Sequence, residues 1–129
     1  MYLMYAGPNE AKASFFESIL FGVDPSKTLV ATTNGYELLC CLQQVEKGET
    51  YPALIILEMN MPKLGGMETL ELLKSDDIYR LIPVCILYTT ATAIDLAFCA
   101  RLGADCLPQP TTYTTWQALV YQLCDSYSN

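Results

Sequence analysis

Short apolar runs alternate with amphipathic stretches along the whole 129-residue chain. The runs are Leu3 to Ala6, Thr28 to Thr32, Ala53 to Leu57, Val84 to Tyr88 and a weaker one at Cys106-Leu107. Continuous apolar runs of this length predict strands buried on both faces, as in a parallel sheet covered by helices. Between them, Phe15, Phe16, Ile19 and Leu20 fall at helical spacing, as do Leu38, Cys41, Leu42 and Val45 after Asn34-Gly35. The same spacing predicts helices over Met67 to Lys74, Thr92 to Leu102 and Thr114 to Asp125, the last turning Trp116, Leu119, Val120 and Leu123 inward. Five strands alternating with five helices predict an α/β fold, a doubly wound parallel sheet, in one domain over 1–129.

The connections carry Gly, Pro and Asn punctuation suited to tight turns, with no repeat, low-complexity tract or linker. The chain therefore reads as standing alone, without an attached effector. In open sheets of this kind functional groups gather at the carboxyl ends of the strands, near the switch in strand order. The positions that follow Ala6, Leu57, Leu87 and Leu107 are the ones to inspect for chemistry.

Composition narrows the function. Hydrophobic residues are 52% of the chain and charged residues 16%, which excludes disorder, and no apolar run approaches the roughly 20 residues that span a bilayer. Fourteen acids against seven bases give a net charge of -7, a surface that repels phosphate backbones and anionic lipid, so neither nucleic acid nor membrane is expected as a partner. Of the six cysteines, Cys40 and Cys41 are adjacent and the rest scattered, with no C-x-x-C and no histidine. That pattern reads as reduced thiols packed as small hydrophobes in a cytoplasmic protein rather than as a zinc site or disulfide framework. The N-terminal residues lack the basic flank and length of a signal peptide.

The third strand runs into Leu57-Glu58-Met59-Asn60-Met61-Pro62-Lys63-Leu64-Gly65-Gly66-Met67-Glu68. This resembles the L-D-x-N-M-P-x-x-x-G loop of response-regulator receiver domains, the CheY-like family, with glutamate at the aspartate position. Further on, Ile82-Pro83-Val84-Cys85-Ile86-Leu87 resembles the family's fourth strand, Leu102-Gly103-Ala104-Asp105 its L-G-A-D/N turn, and Gln109-Pro110 its K-P pair. The resemblance covers essentially the whole chain. It implies a flavodoxin-like (βα)5 fold and a module of two-component phosphorelay signalling, in which a histidine kinase's phosphoryl group passes to an aspartate. That transfer needs an acidic site holding magnesium, a lysine on the arriving oxygens and a small hydroxyl.

Position by position, the chain departs from that pattern. The phosphoacceptor position is Glu58, the lysine is Gln109, and the Ser/Thr position is Tyr88. The acidic pair falls on Gly7 and Pro8 in one register and on Tyr5 and Ala6 in another, and neither contains an acid. The family's aromatic switch position falls on Cys106. Asn60, whose backbone carbonyl the resemblance assigns to the metal, would leave too few ligands with Glu58 to hold magnesium against hydration, so neither metal nor cofactor is expected. Asn60, Pro62, Gly66 and Pro110 are retained turn positions, with the Gln109-Pro110 bond expected to be cis.

These departures point to a degenerate pseudo-receiver, not an enzyme, acting as a phosphorylation-independent interaction module. Glu58 reads either as a fixed mimic of a phosphorylated aspartate or as a relic held by neighbours. Tyr5 and Tyr88 read either as fillers of the vacated space, one phenol donating to Glu58, or as ordinary rim residues. The resemblance implies a protein partner, such as a histidine kinase or another two-component protein, and a homodimer surface on the last two helices and fifth strand. Tyr113, Tyr121 and Tyr127 would enrich that surface. The alternative reading is a small flavodoxin-like enzyme or cofactor binder, against which Ala6-Gly7-Pro8-Asn9-Glu10-Ala11 lacks a phosphate cradle and no histidine is available for acid-base work.

Overall fold

A computed structural model describes residues 1–46 and 48–127. Its elements run β1 (Tyr2–Ala6), α1 (Glu10–Val23), β2 (Thr28–Thr32), α2 (Gly35–Gln43), β3 (Leu54–Glu58), α3 (Gly66–Lys74), β4 (Val84–Tyr88), α4 (Ala93–Arg101), β5 (Asp105–Pro108) and α5 (Tyr113–Tyr127). All strand pairs are parallel, in the order β2-β1-β3-β4-β5. The expected doubly wound architecture is the one observed.

Alternation along each strand sends successive side chains to opposite faces, and each face has its own core. Leu3, Tyr5, Ile56, Cys85 and Leu87 meet Phe16, Ile19 and Leu20 of α1 and Trp116, Leu119, Val120 and Leu123 of α5. Met4, Ala6, Ile55, Leu57 and Ile86 meet Leu38 and Leu42 of α2, Leu70 and Leu73 of α3 and Cys99 of α4. Every residue of β3 is buried, as a central strand covered on both sides requires. Burying one such Leu or Ile contributes about 1.5–3 kcal/mol, so the two cores supply the main driving force. All six cysteines are free, and burial pushes the Cys85 and Cys99 thiols up to about 12, which keeps them protonated and unreactive.

The structure shifts several of the expected bounds and adds one short element. Strand β3 ends on Glu58 rather than Leu57, because the Met59 N–H still donates to the Leu87 carbonyl at 2.9 Å and prolongs the ladder. A short 3₁₀ turn over Tyr79–Leu81 precedes β4, held by Asp76 Oδ1 accepting from the Ile78 and Tyr79 amides. The weak fifth run extends to four residues, because each of Asp105 to Pro108 pairs with a residue of β4.

The helix starts are set by their caps. Asn9 accepts from the Lys12 amide at 3.1 Å, Asn34 from the Glu37 amide at 2.8 Å, and Thr92 and Asp95 form a reciprocal capping box at the start of α4. These caps begin α1, α2 and α4 within a few residues of the strand before each, while the parallel pairing of β1, β3 and β4 sets their carboxyl ends side by side on one rim.

A closed carboxylate at the rim of the sheet

The strand order reverses between β1 and β3, and Glu58 stands at that switch, on the carboxyl end of β3. It is only 5% exposed. A buried carboxylate is costly unless charged or polar groups pair with it, and here three donors converge on its Oε1. Tyr5 Oη donates at 2.8 Å, Lys12 Nζ at 3.0 Å and Gln109 Nε2 at 3.1 Å. They come from β1, the first turn of α1 and the segment after β5. One oxygen thus joins elements from three parts of the chain.

Tyr5 is fully buried and packs on Phe16 with ring centroids 5.5 Å apart. Burial, together with the charge and hydrogen bond of Glu58, pushes its phenol far above the ordinary value, so it serves as a permanent donor. This decides between the two readings of Tyr5 in favour of the phenol that donates to Glu58. Tyr88 does not share that role. Its side chain is half-buried and makes no hydrogen bond to Glu58, while its carbonyl accepts from the Gln109 amide at 2.8 Å.

The two registers considered for the acidic pair each contribute one residue. Tyr5 and Gly7 lie two apart and face Glu58, whereas Ala6 belongs to the opposite core and Pro8 is exposed in the turn. A Cβ on Gly7 would stand 2.4 Å from Tyr5 Oη and 2.8 Å from Glu58 Cγ. The longer glutamate side chain has therefore taken the space that a side chain at position 7 would need. Gly7→Ala is expected to destabilise the fold by about 1–3 kcal/mol, the usual range for overpacking. In a Tyr5→Phe background the penalty should shrink, because the closest atom is gone; urea unfolding of the four proteins of the double-mutant cycle measures the coupling.

The loop after Glu58 is shaped by backbone contacts. Gly66 N–H donates to the Met59 carbonyl at 3.0 Å, Lys63 takes a left-handed conformation at φ 64°, and Leu64 O accepts from the Gly35 amide at 3.1 Å. Asn60 and Pro62 are exposed in this loop. The cis bond expected at Gln109-Pro110 is not found, since no described peptide bond is cis. The trans form is intrinsically favoured by about 0.5–1 kcal/mol before proline. Cys106 is half-buried and packs on the α2–α4 face rather than at Glu58.

No sequence motif singles out Lys12. A signal was nevertheless present, because a lysine in the first turn of a helix faces the positive end of the peptide dipoles. Glu58 supplies the compensating charge, with the pair at 29% and 6% side-chain exposure. Tyr127 is also reassigned: its hydroxyl hydrogen-bonds Asp105, tying α5 to β5, whereas Tyr113 and Tyr121 remain exposed.

The residues present do not fit a divalent cation. Magnesium needs about six oxygen ligands, and the one carboxylate that Tyr5, Lys12 and Gln109 surround, Glu58, is already paired with an ammonium at 3.0 Å. Among the described residues no group of three or more His, Cys, Asp or Glu converges to hold a metal ion, and no helix is long and apolar enough to cross a membrane.

No protein-family model matches the chain, and no curated protein matches it in sequence. Solved structures do match it in shape. The phosphorylated cyanobacterial phytochrome response regulator RcpA superposes with a TM-score of 0.83 at 23% identity, over 98% of this chain and 92% of that one. A two-component response regulator from Legionella pneumophila gives 0.79 at 23% identity, over 98% of both chains. The response regulator RPA3017 in red light signalling of R. palustris gives 0.82 at 19% identity, over 99% of this chain and 94% of that one. With the strand order, the helix placement and a carboxylate at the end of β3, these superpositions give the chain the fold of CheY-like response-regulator receiver domains.

Proposed function

We propose that residues 1–129 form a single receiver-like domain of two-component signalling that works in the cytoplasm as a protein-interaction module without being phosphorylated. The observation that carries this reading is the closed state of Glu58, whose Oε1 accepts from Tyr5, Lys12 and Gln109 of its own chain. In-line phosphoryl transfer needs a free carboxylate oxygen, a neutralising metal and sub-ångström placement. Oε2 accepts from none of these donors, but a glutamate anchored through Oε1 by Tyr5, Lys12 and Gln109, beside Gly7 and Tyr88, supports neither the metal nor the placement.

The partner in this reading is a protein, a histidine kinase or another two-component component. A homodimer surface formed by α4, β5 and α5 is supported by Ile94, 81% exposed, and by α5, where Asp125 is the one charged residue among Tyr113–Tyr127. Charge depletion with exposed apolar and aromatic residues is the composition of interface cores. In a chain of net charge -7, the low charge of α5 reduces the repulsion between two copies that meet there.

Incubation with acetyl phosphate and magnesium, followed by intact-mass spectrometry, tests the reading. The expected spectrum contains unmodified protein only. Stoichiometric, magnesium-dependent phosphorylation would overturn it.

A further inference from the structure

We propose that Lys12 is the resident counter-ion of Glu58 and that its ammonium shields this carboxylate from divalent ions in solution. The inference rests on the phosphorylation-independent reading above and names the residue that enforces it.

Two independent observations converge on Lys12. The first is contact: its Nζ lies 3.0 Å from Glu58 Oε1, and the carboxylate end of the pair is almost wholly buried. The second is position. Lys12 is the third residue of α1, and its amide is fixed by the Asn9 side chain at 3.1 Å. The amino end of a helix disfavours a cation, so a lysine there breaks a local rule, and such breaks concentrate where another requirement dominates. The requirement visible here is neutralisation of Glu58, since Tyr5 and Gln109 are uncharged donors.

The consequence follows from Coulomb's law. Within the pair one carboxylate and one ammonium balance, so Glu58 itself exerts little net pull on a further cation. An approaching divalent ion must meet the ammonium at close range, where a unit charge at about 4 Å matters by a factor of about ten or more even at high effective dielectric. Removing the ammonium uncovers the carboxylate. Loss of the Lys12 arm leaves Glu58 its Tyr5 and Gln109 donors, so the carboxylate stays hydrogen-bonded while its charge is less compensated.

The test uses manganese alone, as a paramagnetic probe, on the full labelled chain. In the unaltered protein the amide signals of Gly7, Glu58 and Met59 should stay sharp at manganese concentrations that broaden exposed acidic segments. In Lys12→Met the same signals should broaden at an at least about ten-fold lower concentration, Lys12→Arg should behave like the unaltered protein, and Lys12→Met with Glu58→Gln should lose the effect. A Lys12→Met protein whose Glu58 region is as indifferent to manganese as the unaltered chain overturns the inference. Broadening at Glu58 in the unaltered chain instead overturns the reading beneath it. If Lys12→Met does not fold, the ammonium signal of Lys12 in the unaltered protein decides: protection from solvent exchange beyond that of Lys63 supports the pair, and exchange as fast as Lys63 overturns it.

Discussion

Glu58→Leu should lower the folding free energy by about 2–4 kcal/mol, and adding Tyr5→Phe should restore most of the loss. The three donors lose their acceptor together, but they do not lose it equally. Lys12 and Gln109 reach the surface and can turn to water, so their share is small. Tyr5 cannot turn, because its ring is fully buried against Phe16. Leaving one buried hydroxyl unpaired costs about 1–3 kcal/mol, and losing a hydrogen bond to a charged group sits at the upper end of the ordinary range. Removing both partners leaves an apolar contact of similar shape, which is close to neutral. Urea unfolding of both single variants and the double variant measures this. If the double variant is as unstable as the sum of the singles, the Tyr5–Glu58 contact is not what holds the carboxylate.

Gly66→Ala should cost about 3 kcal/mol, at the upper end of overpacking penalties. A Cβ at this position would stand 2.5 Å from the Glu58 carbonyl oxygen and 3.0 Å from Met59 Cα, both backbone atoms that no rotamer change can move. Relief requires the loop to open, which breaks the Gly66 N–H to Met59 carbonyl bond and shifts the strand end that carries Glu58. Gly22→Ala is the control. Nothing lies within 4 Å of its Cβ, so in helix α1 the change should be neutral or stabilising by up to about 1 kcal/mol. A Gly66→Ala protein as stable as Gly22→Ala would show that the loop after β3 is far more yielding than its contacts imply.

The fold was legible in the sequence because two periods alternate cleanly. Continuous apolar runs such as Leu54 to Leu57 allow only a strand covered on both faces, and the inward stripe of Trp116, Leu119, Val120 and Leu123 allows only a helix packed on that sheet. Strand ends were less legible, since they depend on partners rather than on local pattern. Glu58 looked like the first loop residue, and the Leu87 carbonyl made it the last strand residue. The candidate site was half legible. Motif positions placed Glu58 and Gln109 at one rim, but distance in sequence hides which side chains reach across it: Tyr5 is 53 residues from Glu58 and Lys12 is 46. Position 7 could be assigned only from the lateral register of β1 against β3. The trans bond before Pro110 shows the opposite limit, where a feature carried over with a motif did not follow from the residues themselves.

The most direct measurement is an amide NMR spectrum of labelled protein titrated with magnesium and then with beryllium fluoride, a mimic of a phosphoryl group on a receiver carboxylate. The signals of Gly7, Glu58, Met59 and Gln109 should stay where they are through both additions. Saturable shifts at those residues would contradict a phosphorylation-independent site, because they would mean that Glu58 exchanges its internal donors for a metal and a phosphoryl mimic, and that the site still performs that chemistry despite its substitutions.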